Sequence, residues 1–252
     1  MKFAFALFLL LPALVRAGVA YDERTTSIRQ PQAVVRHYYV QNGQWRGDDA
    51  NGIIIALLRN QTAYVIDNAH RTFEVLPKTK VDQAAARLAA LTPSKIANMP
   101  PEERERMEKI LVRMQVPAPV YVMTDRSELV EGHACRIWEG IESGTKRLEL
   151  CVAASGTVSG GGEILAALKE LSHFFPGRTD AQGMQVGAAN WWKGVENFDG
   201  LPISIRSFND GTAVSETIMT AVHEEVLSPA LFDVPVGYQL QEPKHAVHMP
   251  EP

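Results

Sequence analysis

The chain has 252 residues, of which 46% are apolar and 21% charged, and its 18 Gly and 15 Pro are close to average usage. These proportions exclude a collagen-like or largely disordered chain and leave enough length for one large domain, or two small ones, with a real core. The formal net charge of −4 lacks the basic excess that displaces counterions from a polyanion, which argues against nucleic acid as a bulk partner while leaving room for a local basic patch.

The N-terminus has the layout of a cleavable secretory signal. Lys2 is a short basic region, Phe3 to Val15 is apolar and uncharged, and small residues follow. Both Val15-Arg16-Ala17 and Gly18-Val19-Ala20 offer a small residue before the cut and a small or aliphatic one two positions earlier. The apolar run is short of the roughly 20 residues that a membrane-spanning helix needs, and Pro12 lies inside it. No Cys stands near the cleavage region to carry a lipid, and no later stretch is apolar for long enough to span a bilayer. Residues 1–20 are therefore expected to be a signal peptide, 21–241 a single domain and 242–252 a flexible tail. The protein is expected to be periplasmic, without a transmembrane anchor.

Past the leader, Val34–Val40 is β-branched and aromatic and reads as a strand, ended by the Asn42-Gly43 turn. Trp45, Ile53–Leu58, Thr62–Ile66 and Thr72–Leu76 read as further strands of an antiparallel meander, punctuated by Asp67-Asn68 and Pro77. Val81, Ala84, Leu88 and Leu91 form a stripe at helical spacing that Pro93 ends. Pro100-Pro101-Glu102-Glu103 opens a second helix with Met107, Ile110, Leu111 and Met114 on one face, and Glu102–Arg106 and Glu105–Lys109 as i,i+4 pairs. Val120–Met123 resumes the strands.

The two cysteines, Cys135 and Cys151, suit a disulfide in an exported protein. They lie in two β-rich runs about a Ser143-Gly144 turn. Folding the chain at residue 143 sets Cys135 opposite Cys151, Trp138 opposite Leu148 and Glu139 opposite Arg147. Without a CxxC spacing or neighbouring His ligands, a redox or metal pair is the weaker alternative. Ser159–Glu163 is a flexible, Gly-rich lead into a third helix with the stripe Ile164, Leu168, Leu171 and Phe175, and Pro176-Gly177 stops it. Leu201–Ile205 and Val214–Val222 alternate about Asn209-Asp210-Gly211. Ser228–Phe232 is a turn, and Val234–Tyr238 ends the fold. The expected fold class is α+β: a curved antiparallel sheet with about three helices packed on its concave face.

Several patches resemble an uncharacterised family of exported bacterial proteins: Tyr64–Asp67 followed by Arg71–Pro77, Asn98–Glu102 with Met107, Gly132–Trp138, and Phe232–Tyr238. The resemblance implies a LolA-like fold, a half-barrel built like the periplasmic lipoprotein carrier, with paired strands, a helical insert, a central hairpin and a closing strand at these patches. It also implies an apolar pocket between sheet and helices. It brings no catalytic residues, and lipoprotein carriage does not follow from it, because similar shells serve other ligands.

The sequence has no GxSxG, no GxGxxG after a strand and no P-loop. His223-Glu224-Glu225 starts like a zincin motif, but Leu227 stands where the second His is required. His173 falls on a polar helix face, and His37, His70 and His133 share no spacing. His245, His248 and Met249 read as a polar tail rather than a copper or zinc site, and Asn60-Gln61-Thr62 as an incidental sequon. No catalytic residue, metal site or cofactor is assigned. If Trp191 and Trp192 lie on a strand, alternation would set one to line a cavity and the other on the sheet's outer face, and ordinary packing explains both equally well. Three readings stay open. The first is a non-enzymatic protein that holds a lipid, acyl chain or other apolar ligand against Trp138, Leu148, Leu168, Leu171, Phe175 and Trp192. The second is an envelope structural or interaction protein with a fully packed core and a protein partner. The third is a hydrolase with a His and a carboxylate brought together in a cleft. The Gly160–Gly162 run is either a hinge or a loop.

Overall fold

The computed structural model describes residues 17–105, 107–108, 119–175 and 198–241. Twelve strands form one open sheet: β1 (Gly18–Ser27), β2 (Gln30–Gln41), β3 (Gln44–Asp48), β4 (Ile54–Arg59), β5 (Thr62–Asp67), β6 (Thr72–Pro77), β7 (Val120–Val130), β8 (His133–Glu142), β9 (Thr145–Ala153), β10 (Leu201–Asn209), β11 (Thr212–Glu225) and β12 (Gln239–Leu240). Their order is β12-β6-β5-β4-β3-β2-β1-β11-β10-β9-β8-β7. All neighbours are antiparallel except β12, which lies parallel to β6. The helices are α1 (Lys78–Ala89), α2 (Pro93–Ala97) and α3 (Gly161–Phe174), with helical turns at 101–105 and 107–108. The α+β class and the largely antiparallel sheet are those expected from the sequence.

Tight two-residue turns set the register. Asn42-Gly43, Asn60-Gln61, Glu131-Gly132, Ser143-Gly144 and Asp210-Gly211 each place both central residues at positive φ, the backbone that matches the twist of the flanking strands. Side chains then alternate between two faces. The inner face carries Val40, Trp45, Leu58, Leu150 and Ile205, and α3 packs on it to form the main core. On the outer face of β4–β6, Ile55, Leu57 and Ile66 form a smaller cluster with Phe73, Val234 and Tyr238. A strap after β11 closes it: Arg46 donates to the Leu231 carbonyl at 2.9 Å, Arg59 pairs with Asp233, and the Tyr238 hydroxyl donates to Asn68 at 2.9 Å.

Several expectations are corrected. The strand β1, absent from the sequence reading, is central in the sheet, paired with β2 and β11. Its polar run from Asp22 to Ser27 hides the alternation, and Gly18–Ala20, read as part of the leader, are buried within it. In the cysteine hairpin, a two-residue turn and a bulge at Gly140/Ile141 shift the pairing: Cys135 faces Ala153, Ile137 faces Cys151, Trp138 faces Leu150 and Glu139 faces Glu149. The disulfide joins Cys135 and Cys151 diagonally, Cα to Cα 5.3 Å. The closing strand is Gln239–Leu240, not Val234–Tyr238, because the preceding segment crosses the outer face as the strap. Thr92 and Pro93 do more than end α1. The Thr92 hydroxyl accepts from the Lys95 N–H, and Pro93 opens α2. Ala84 is exposed, so the inward side of α1 is narrower than the stripe suggested. The glycine run is built in rather than a loose lead: Gly160 caps α3 at φ 60°, and a side chain there would collide with Val19. Trp191, Trp192, the residues from Ile110 to Met114 and the His245–Met249 tail lie outside the described residues.

Candidate binding site

The third helix and the inner face of β8–β10 meet as one apolar layer. Helical spacing puts Ile164, Leu168 and Leu171 on one side of α3, and alternation puts Leu148, Leu150 and Ile205 inward on β9 and β10. All of these, with Phe174 and Phe175, belong to one buried cluster. Trp138 of β8 packs against it, partly buried, and meets Phe198 edge to face at 5.1 Å; Tyr121 of β7 meets the same ring at 4.8 Å. Of the residues singled out in the sequence as pocket walls, Trp138, Leu148, Leu168, Leu171 and Phe175 thus come together, and Trp192 lies outside the described residues. Three polar ties hold the helix down. The Asn42 N–H donates to Glu163 at 2.9 Å, the Gly160 N–H donates to Glu224 at 2.9 Å, and the Gln61 amide donates to Glu170 at 2.6 Å. The carboxylates of Glu163 and Glu224 sit at the N-terminal end of α3, where the helix dipole favours negative charge.

A second inward group was not legible in the sequence. Tyr21, Glu23, Tyr38 and Trp45 occupy adjacent inner positions of β1–β3. Tyr21 stacks on Tyr38 at 5.0 Å between ring centres, and Tyr38 lies 5.7 Å from Trp45. Glu23 is only 7% exposed. Burial pushes its carboxyl above the usual range, against a hydrogen bond from Tyr38 and the charge of Arg36. Burial likewise raises both phenols, and the nearby Glu23 carboxyl adds to this. The Trp45 indole N–H is buried beside the Tyr21 hydroxyl. The group brings two hydroxyls, an indole N–H and a carboxyl together in an otherwise apolar layer. The only sequence hint was an acid at alternating spacing from Tyr21.

On the outer face of β9–β11 the same strands bury charge. Glu149, 5% exposed at its side chain, accepts from Arg126, from Lys146 at 3.1 Å and from Arg206 at 3.1 Å. Arg206 also pairs with Glu128 at 2.9 Å and Glu216 at 2.8 Å. Burial works against the charge on Glu149, but hydrogen bonds from Arg126, Lys146 and Arg206 overcome it and hold the carboxyl below its usual range. Glu128 belongs to β7, three strands from β10, and Glu131 beyond it reaches Arg24 of β1 at 3.3 Å. The far end of β7 therefore bends back over the outer face, after a bulge between Met123 and Ser127. Among the described residues, β7 before the bulge is an edge strand with exposed Val120, Val122 (52%) and Met123.

Three of the described histidines sit in separate ion pairs. His37 meets Asp22 at 2.7 Å and His70 meets Asp67 at 2.7 Å, both on exposed surface, and His223 lies on β11 within 3.5 Å of Glu225. Among the described residues, no group of three or more His, Cys, Asp or Glu could hold a metal ion. No described helix is long and apolar enough to cross a membrane.

No protein-family model matches the chain, and no curated protein matches it. Among solved structures, the chain is similar to an uncharacterized conserved protein from Thermus thermophilus, with 9% identity and a TM-score of 0.46, covering 91% of each chain. It is also similar to PNGF-II, with 10% identity, a TM-score of 0.41 and coverage of 90% of this chain and 31% of that one. A third is the Pseudomonas aeruginosa MucA/MucB complex, with 8% identity, a TM-score of 0.33 and coverage of 89% and 58%. The chain thus spans less than two thirds of the second and third of these.

Proposed function

We propose that this is an exported periplasmic protein that works by binding a protein partner and not by catalysis. The observation that carries the reading is the burial of α3: Ile164, Leu168, Leu171 and Phe174 lie in one cluster with Leu148, Leu150 and Ile205, so the chain's own side chains occupy the concave face beneath this helix. The disulfide between Cys135 and Cys151 suits an oxidising compartment, as does the leader-like N-terminus. The partner is an extended segment of an envelope protein, added as a strand beside Val120–Met123 of β7. Among the described residues β7 pairs only with β8. Its main chain supplies affinity, and the exposed Val120, Val122 and Met123 supply apolar contacts on both faces. Past Met123 the bulge and the charges of Asp125, Arg126 and Glu128 end the usable edge.

A second reading has one observation in its favour. Tyr121 and Trp138 are only partly buried around Phe198 and adjoin exposed Met123. A lipid, acyl chain or other apolar ligand would enter there, between sheet and helices.

A photo-crosslinking residue placed at Val122 in the exported protein separates the two. The expected result is a discrete protein adduct that is absent when the same probe replaces Val236, an exposed position on the strap. No adduct at Val122, or protein adducts of equal yield at both positions, overturns the partner reading.

A further inference from the structure

We infer that the leader is removed between Ala17 and Gly18, so that the mature chain begins at Gly18 and not at Tyr21. This rests on the proposed export. Two sites satisfy the requirement for small residues, after Ala17 and after Ala20, and the fold distinguishes them. Ala17 is half-buried and belongs to no strand, whereas Gly18, Val19 and Ala20 are buried residues of β1. Val19 is 1% exposed and pairs on one side with Val40 and on the other with Glu224. It also seats α3, because it fills the space above Gly160, the residue that caps the helix at φ 60°. Gly18 passes where nothing larger fits: a Cβ there would lie 2.6 Å from Leu227 Cδ1 and 2.8 Å from the Val40 carbonyl oxygen.

Cleavage acts on the unfolded chain as it leaves the membrane, so the question is which remainder can fold. A cut after Ala20 removes the first three residues of a central strand, together with the Val19 contact beneath the α3 cap. A cut after Ala17 leaves every residue of the sheet. In that step a leader peptidase hydrolyses the Ala17–Gly18 amide: water supplies the second oxygen of the Ala17 carboxylate and two protons of the new Gly18 ammonium, whose third is the former amide hydrogen. The ammonium forms opposite Glu225 on β11, beside an acidic residue.

The test is N-terminal sequencing and intact mass of the full-length chain expressed in an export-competent bacterium and purified from the periplasmic fraction. A single start at Gly18 is expected. A start at Tyr21, or at any other internal residue, overturns the inference and leaves export standing; a chain that keeps Met1 and stays in the cytoplasm overturns both. Chains made directly from Gly18 and from Tyr21 check the physical basis. The first is expected to unfold in one cooperative transition, and the second to lose that transition or show it at a clearly lower temperature. Equal melting would overturn the argument from β1.

Discussion

Strands β9 and β10 bury their two faces in opposite ways. Inward, Leu148, Leu150 and Ile205 meet the apolar side of α3, and removal of hydrocarbon from water stabilises the layer. Outward, one residue along each strand, Glu149 and Arg206 are covered by the returning end of β7 and depend on charges that partner them from four strands. The inner face of these two strands is sensitive to volume. The outer face is sensitive to pH, because a buried carboxylate persists only while its cations outweigh its desolvation. One sheet thus carries a packed layer and a charge-locked layer back to back.

The sharpest way to break the inner face is Phe174→Ala. Phe174 is among the largest fully buried side chains, and truncation of a buried Phe costs about 3–5 kcal/mol. A urea titration should show that loss as a lower midpoint, with the disulfide-bonded sheet still visible by circular dichroism. An unchanged midpoint would mean that α3 does not close the layer. The outer face has a smaller expected effect. Glu149→Gln should cost about 1–2 kcal/mol at neutral pH, less than a fully buried pair, because Arg126 and Arg206 are partly exposed and screened. Its pH dependence is the sharper signature. The Glu149 carboxyl ionises below its ordinary value of 4.5 when folded, so its stabilisation is complete above about that pH and is lost as pH falls through the folded value. Melting curves of the wild-type chain should therefore drop more steeply on the acid side than those of Glu149→Gln.

Glu23→Gln has the smallest expected effect and the opposite sign. The Glu23 carboxyl ionises above 4.5 when folded. Its share of stability is present below about pH 4.5 and is lost as pH rises through the folded value. The glutamine variant is expected to melt at or slightly above the wild-type temperature near pH 7, and to lose that advantage near pH 4. A variant less stable at both pH values would show that Glu23 is held as a needed carboxylate.

Much of this division was legible in the sequence. Alternating apolar residues in β4, β5, β9 and β10 and the i, i+4, i+7 stripe of α3 are local signals, and the positive-φ hairpins announce themselves through Asn-Gly, Ser-Gly and Asp-Gly. The candidate wall residues Leu148, Leu168, Leu171 and Phe175 fall in one cluster because both periods point them to the same layer. What escaped had no local signature. β1 carries Asp22, Glu23, Arg24 and a run of hydroxyls, and it is a strand because β2 and β11 flank it, a tertiary cause that overrides a weak propensity. The ion lattice draws on residues 126, 128, 146, 149, 206 and 216, too far apart for a window of sequence to join. The hairpin register moved because a bulge, which no residue pair announces, absorbed one position between Gly140 and Ile141.

The central claim is that the layer between α3 and the sheet is filled by the protein itself. Native mass spectrometry of the protein from the periplasmic fraction, paired with lipid extraction of the same sample, tests it most directly. The account predicts the mass of the bare disulfide-bonded chain, no stoichiometric lipid in the extract and no uptake of a fluorescent fatty acid. A near-stoichiometric lipid or acyl species that leaves only on unfolding would contradict it and establish an apolar cargo in place of a packed core.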